Sequence, residues 1–281
     1  MPTFNRAYMI KPAIESVLAQ TVGDFELIIV DDGSTDDTVA LVTSISDDRV
    51  RLIQQANQGP AAARNRAVIE AATAKWIAYL DSDNELFPEY LERMLHYVES
   101  MPGAVFAIPR SRRTQELYEN GQLICVIDDS ADTPPDLALH DIFMKRLHLD
   151  TNGFMHLRSL FTDDELRWDP NCRAMEDWDL AMTIGNHYPS GFCYVPEVLY
   201  AYHQRYGGDG IVSSLGYGDW ADLFEYIYRK HEGSPHLIGQ DWYPQRVEKW
   251  KELQRNFEQG NLPPYTHYYF RNEPEVRKGC Q

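Results

Sequence analysis

Tyr79-Leu80-Asp81-Ser82-Asp83-Asn84 reads as the end of a buried strand that runs straight into two carboxylates one residue apart. The run leading into it, residues 76–80, is short, apolar and rich in aromatics, as an inner strand requires. Asp81 and Asp83 then stand just past the strand's carboxyl end, the rim where open α/β sheets take their ligands. Two acids so close repel one another and cost folding energy unless a cation or a hydroxyl-rich group meets them. A hard divalent ion shared between carboxylate oxygens and phosphates would meet that need. The plain alternative is an acidic turn facing water, and the rest of the chain weighs between the two.

Upstream, the strand–loop–helix pattern repeats. Lys11-Pro12 opens a helix striped by Ile14, Val17 and Leu18, with Pro12 in the first turn where its missing N–H costs nothing. The strand at 25–30 ends in Asp31-Asp32-Gly33-Ser34, with Ser34 expected as N-cap and Asp36 and Asp37 in the first turn of the next helix. A strand at 50–54 leads through Asn57-Gln58-Gly59-Pro60 into an alanine-rich helix, 61–74. A helix at 88–100 and a strand at 104–108 follow the central stretch. Strands alternating with helices through short loops predict a parallel sheet covered on both faces.

After Pro109 the pattern changes. Segments 116–119 and 122–127 flank Asn120-Gly121, a hairpin signal. Residues 134–148 read as helix, 153–161 as extended, 176–187 as helix and 192–203 as extended with a break at Pro196. A glycine-rich loop (205–218) and two amphipathic helices (219–231 and 244–258) come next, then a tail rich in proline and tyrosine. The expected organisation is one domain with two halves, 1–108 and 109–204, and an extension, 205–281.

The 281 residues suffice for a full core, and a net charge of −17 argues against nucleic acid as a partner. The four cysteines have no paired spacing, so neither a disulfide framework nor a zinc knuckle is expected. With no signal peptide and no apolar run that spans a bilayer, a reducing cytoplasm is the expected compartment, with a peripheral place at the membrane as a variant of it.

Three polar loops leave three strands and converge on one rim if those strands are neighbours. Asp32 can accept a hydrogen bond from a base N–H, and Phe4 can stack on that base. Arg64, near its helix start, can meet a phosphate, Asp81 can bind ribose hydroxyls, and Asp83 can ligate a metal that bridges a diphosphate. Taken singly, each has a structural reading: a turn, a surface cation, a core aromatic.

Together, Pro2-Thr3-Phe4-Asn5-Arg6, Asp31-Asp32-Gly33-Ser34-x-Asp36, Asn57-x-Gly59 with Ala63-Arg64-Asn65, and Asp81-Ser82-Asp83 resemble the family 2 inverting glycosyltransferases of the GT-A fold. The resemblance covers residues 2–203. It implies an α/β, Rossmann-like, mostly parallel sheet with helices on both faces, a mixed acceptor-side half and a helical C-terminal extension. It also implies a hexosyltransferase that uses a UDP-sugar donor with Mn2+ or Mg2+ and forms a β-linkage. By that match Pro2, Phe4, Arg6, Asp32, Asn57, Arg64, Asp81 and Ser82 serve the donor nucleotide, and Asp83 the metal. Glu176-Asp177-Trp178 is similar to the acceptor-side motif, with Asp177 in the place of the catalytic base and Glu176 and Trp178 beside it. His203, before Ser213-Ser214, resembles the closing segment and would complete the metal's coordination.

The chain departs from the family pattern in three ways. No apolar strand precedes Pro2, which implies a truncated or misassigned start or an unfilled slot in the sheet. Asn84 stands where a further acid is common, and the processive Gln-x-x-Arg-Trp signature is missing, which points to single addition. Glycan, lipid-linked and small-molecule acceptors all remain open, as does a homodimer through the aromatic tail. A sugar nucleotidyltransferase would want a basic, glycine-rich phosphate loop in residues 2–12, which this chain does not offer. A non-catalytic module that binds nucleotide sugars or glycans would have no use for both Asp83 and Asp177.

Overall fold

Leu27–Asp31 (β2) is buried along its whole length, as its unbroken apolar run predicts, and it sits between two parallel neighbours. These are β1 (Pro2–Thr3) and β3 (Val50–Gln54), in the order β1-β2-β3. The structure is a computed structural model and describes residues 1–71, 73–119, 122–128, 150–162, 166–206, 214–234 and 242–262. Helices α1 (Ile10–Leu18), α2 (Thr38–Thr43) and α3 (Pro60–Glu70) follow the three strands in turn. The start of α2 differs from expectation. Ser34 does not cap it; its Oγ accepts the Asn5 N–H at 2.8 Å, which ties the loops after β1 and β2 together.

The second sheet has six strands. They are β4 (Trp76–Ala78), β5 (Glu85–Leu86), β6 (Phe106–Glu119), β7 (Gln122–Asp128), β8 (Met155–Leu157) and β9 (Phe192–Tyr206). The order is β4-β8-β6-β9-β5, with β7 on β6. The parallel ladder expected to continue into β4 stops at β1. Instead β4 pairs antiparallel with β8, Trp76 opposite Leu157 and Ala78 opposite Met155. The two-residue β1 has few ladder groups to carry a further parallel strand. Both β6 and β9 run on through a proline, Pro109 and Pro196, where the sequence suggested breaks. Residues 153–161 are not a single extended segment, because 3-10 turns at Thr151–Gly153 and Arg158–Thr162 flank a short β8.

Two compact units emerge. The first comprises Met1–Arg112, Asp132–Asn171 and Met175–Tyr202. Its core gathers Ile14, Ile29, Tyr90, Met94, Met155 and Val195, with α1 and α4 (Tyr90–Ser100) supplying helical faces. A further helix of this unit, α5 (Glu176–His187), buries Leu180, Ala181, Met182 and Ile184. The second comprises Arg113–Ala131, Cys172–Ala174 and His203–Gln281. In it β6 and β7 form the expected hairpin, with Glu119 opposite Gln122. Helices α6 (Tyr217–Lys230) and α7 (Trp242–Glu258) pack there through Trp220 stacked on Trp250 at 5.8 Å. Trp250, in the C-terminal extension, is thus engaged inside its own unit. Cys172 and Cys193 are buried and outside any disulfide, while Cys125 is in a disulfide, which the cysteine spacing did not suggest. The expected turn Asn120-Gly121, the helix at 134–148, Ser213 and the tail from 263 lie outside the described residues.

Candidate active site

The site of the first unit is built around an arginine with almost no access to water. Gly59, at φ 89°, turns the chain into α3, where Pro60 occupies the first turn without loss. The helix buries Ala61, Ala63, Val68 and Arg64, and Arg64 is 3 % exposed. A guanidinium so buried needs counter-charges close by. It donates through Nη2 to Asp81 Oδ1 at 2.7 Å and through Nη1 to Glu176 Oε1 at 2.8 Å. Its carbon lies 4.8 Å from the centre of the Trp168 ring. Burial opposes the charge, but Asp81 and Glu176 outweigh it and the guanidinium stays protonated. Arg64 therefore joins three distant segments: the turn after β4, the start of α5 and the Trp168 loop. The bonds differ from the direct phosphate contact that its sequence position suggested.

Helix α5 starts at Glu176, after Met175 in the left-handed region at φ 59°. Such a conformation is uncommon without glycine and persists where the surroundings impose it. Glu176, Asp177 and Asp179 fill the first turn, where the helix dipole favours acids. Asp177 Oδ1 accepts the Trp178 N–H at 2.8 Å. Burial pushes the Asp177 carboxyl well above the usual carboxylate range, and the nearby charges of Glu176 and Asp150 push it further. The Trp178 N–H and Arg64 oppose them only in part.

The turn at Asp81 is held from the other side by Asn152. Its Oδ1 accepts the Asp81 N–H at 2.6 Å, and its Nδ2 reaches Asp81 Oδ2 at 3.4 Å. Asp83 is half-buried and its Oδ1 accepts from Asn84 Nδ2 at 3.0 Å. The neutral Asn84, unexpected in that place, thus steadies Asp83 where a third acid would repel it.

The remaining expected residues divide into two groups. Asp32 is buried, and its carboxylate is occupied by the chain itself. Gln55 Nε2 (2.8 Å) and the Gln58 N–H (2.9 Å) reach Oδ1, and the Gly59 N–H (2.7 Å) reaches Oδ2. Pro2 and Ser82 are buried, Asn57 is exposed, and Arg6 and Trp178 are half-buried. The Arg6 N–H bonds Thr38 Oγ1 at 2.8 Å. Phe4 is 42 % exposed, unusual for a phenylalanine and open to stacking. His203 belongs to the second unit, where Glu116 Oε1 (3.0 Å) and Thr114 Oγ1 (2.9 Å) meet its Nδ1. Arg205 and Tyr118 share the other Glu116 oxygen, and hydrogen bonding from His203 holds that carboxyl below its usual range. Sequence reasoning missed Asp150 and Asn152, which hold the Asp81 turn. The run Asp150-Thr151-Asn152-Gly153 signals only a turn.

Comparison with known proteins bears on the family and the fold. The family model described as glycosyl transferase family 2 matches residues 1–159. The succinoglycan biosynthesis protein ExoO of Rhizobium meliloti (strain 1021) is 34% identical over 233 residues, covering 77% of this chain and 63% of that protein. A protein named uncharacterized glycosyltransferase YibD, of Escherichia coli (strain K12), is 38% identical over 97 residues, or 34% of this chain and 28% of that one. The chain thus spans less than two thirds of either relative. A crystal structure of S. aureus TarS 1-349 in complex with UDP-GlcNAc superposes with a TM-score of 0.65 at 20% identity. It covers 92% of this chain and 71% of that one, a likeness of fold. With the family model matching more than half of its length, the chain belongs to glycosyl transferase family 2.

Proposed function

We propose that the chain is a metal-dependent inverting glycosyltransferase that moves a sugar from a UDP-sugar to an acceptor hydroxyl, forming a β-glycosidic bond. One observation carries the reading: Arg64 bonds both the Asp81 turn and the first turn of α5, so the two acidic segments such a transfer needs share one site. Inverting transfer is a single in-line displacement at the anomeric carbon. The acceptor oxygen forms its bond as the bond to the diphosphate breaks, and the hydroxyl proton passes to a base. Asp177 is assigned that base, because a raised carboxyl pKa gives stronger drive for taking a proton. Asp81 is assigned the ribose hydroxyls and the exposed ring of Phe4 the uracil.

An Mn2+ or Mg2+ ion, when bound, supplies positive charge to the leaving diphosphate. Asp83 is the residue that would hold it, since a half-buried carboxylate is the hard oxygen donor such ions prefer. The UDP and UDP-GlcNAc complexes of TarS support a uridine nucleotide as donor. The acceptor is a glycan, a lipid-linked sugar or a small molecule, and among the described residues no helix is long and apolar enough to cross a membrane.

The test is a panel of UDP-sugars assayed for hydrolysis and transfer with Mn2+, in the wild type and in Asp177→Asn. The variant should lose at least about 100-fold in transfer while its UDP affinity, by calorimetry, stays at the wild-type value. Transfer that survives puts the base elsewhere. A wild type that binds UDP but turns over no donor is a binding module.

A further inference from the structure

Asp81 owes its position to a line of buried polar groups that meet its N–H and Oδ2, while Arg64 meets Oδ1. Asp150 is 4 % exposed, and both of its oxygens are used. Oδ1 accepts the Asn152 N–H at 2.8 Å and Asn152 Nδ2 at 2.9 Å, and Oδ2 accepts the Tyr200 hydroxyl at 2.5 Å. Asn152, 0 % exposed, then passes its Oδ1 to the Asp81 N–H. A charge is expensive to bury, and closing a 3-10 turn does not require one, since a neutral asparagine or serine does the same. What the charge adds is direction. A carboxylate only accepts, so Asp150 takes the NH2 end of the Asn152 amide and leaves the oxygen end for Asp81.

We propose that Asp150 is a positioning residue: it fixes which end of the Asn152 amide faces the Asp81 N–H, and through it the stance of the donor-binding turn. The proposal deepens the donor reading above and rests on it for the nucleotide measurements only. The same carboxylate also faces Asp177, alongside Glu176 on that residue's own helix and Arg64 on α3. Its removal therefore has a second, electrostatic effect, which a merely structural role would not produce.

The experiment uses the full chain and the variant Asp150→Asn. An asparagine there accepts and donates, so the amide of Asn152 loses its fixed sense. UDP affinity should fall about tenfold, the donor KM should rise with the acceptor KM unmoved, and the acid limb of kcat should shift to lower pH. Two readouts need no nucleotide: the Asp81 amide should exchange with solvent about tenfold faster, and the Asp177 carboxyl, titrated by NMR, should ionise at lower pH. An Asp150→Asn protein with unchanged amide exchange and an unchanged Asp177 titration overturns the proposal. A wild type without UDP affinity sinks the donor reading alone. Should Asp150→Asn not fold, Asn152→Asp carries the test. A carboxylate there cannot donate to Asp150, so the Asp81 amide should again exchange faster, and wild-type exchange overturns the proposal.

Discussion

Two acidic turns at strand ends, Asp31-Asp32 closing β2 and Asp81-Ser82-Asp83 after β4, are used in opposite ways. Asp32 spends its carboxylate on Gln55, Gln58 and Gly59, the residues of the turn that opens α3. It organises a connection next to it on the same sheet. Asp81 bonds Arg64 from α3 and Asn152 from the turn before β8, and Arg64 carries the connection on to Glu176. The first turn is a local fold device. The second is a junction between segments far apart in sequence, and Asp177, whose carboxyl burial raises well above its usual range, stands beside it. Similar acid pairs thus say where a strand ends, and their partners decide what the end is for.

Breaking the junction should cost most. Arg64→Met leaves the buried Glu176 and the half-buried Asp81 without their cation and should lower the unfolding free energy by about 3–5 kcal/mol, read from denaturant midpoints. Asp32→Ala frees three donors in a half-exposed turn that water can reach, so its cost should be smaller, about 1–3 kcal/mol. Equal losses would erase the distinction between the two turns. The smallest effect sharpens it through pH. Because the Asp177 carboxyl is raised in the folded chain, the folded state holds more protons than the unfolded one between the ordinary and the raised value. Stability should therefore fall as pH rises through that window, and Asp177→Asn should remove this part of the slope. A stability profile that rises there in the wild type and is unchanged in the variant would show that burial does not act on Asp177.

Much of this was legible in the chain. Glu176 opening a helix to 187 follows from local pattern and appears as read. The apolar run 76–80, read as a buried inner strand, gives only the three-residue β4 at the end of its sheet, with Tyr79 and Leu80 buried just beyond it. What local pattern misses is pairing at a distance. Arg64 reads as a surface cation because nothing near it in sequence announces that Asp81, Glu176 and Trp168 will enclose it. Asp150 and Asn152 read as turn formers because that is their local role, while their second bonds go to Asp81 and Tyr200. The parallel ladder was over-extended to β4 for a similar reason: strand–helix alternation shows a crossover, but pairing depends on how much of β1 there is to pair with.

The claim that Arg64 makes one site of two acidic segments is tested most directly by a double-mutant cycle. Asp81→Asn and Glu176→Gln, singly and together, are compared by denaturant unfolding of the full chain. The shared guanidinium predicts non-additive losses, with a coupling of about 0.5–3 kcal/mol. Losses that simply add would mean that the Asp81 turn and the start of α5 do not work through Arg64, and the single-site account would be wrong.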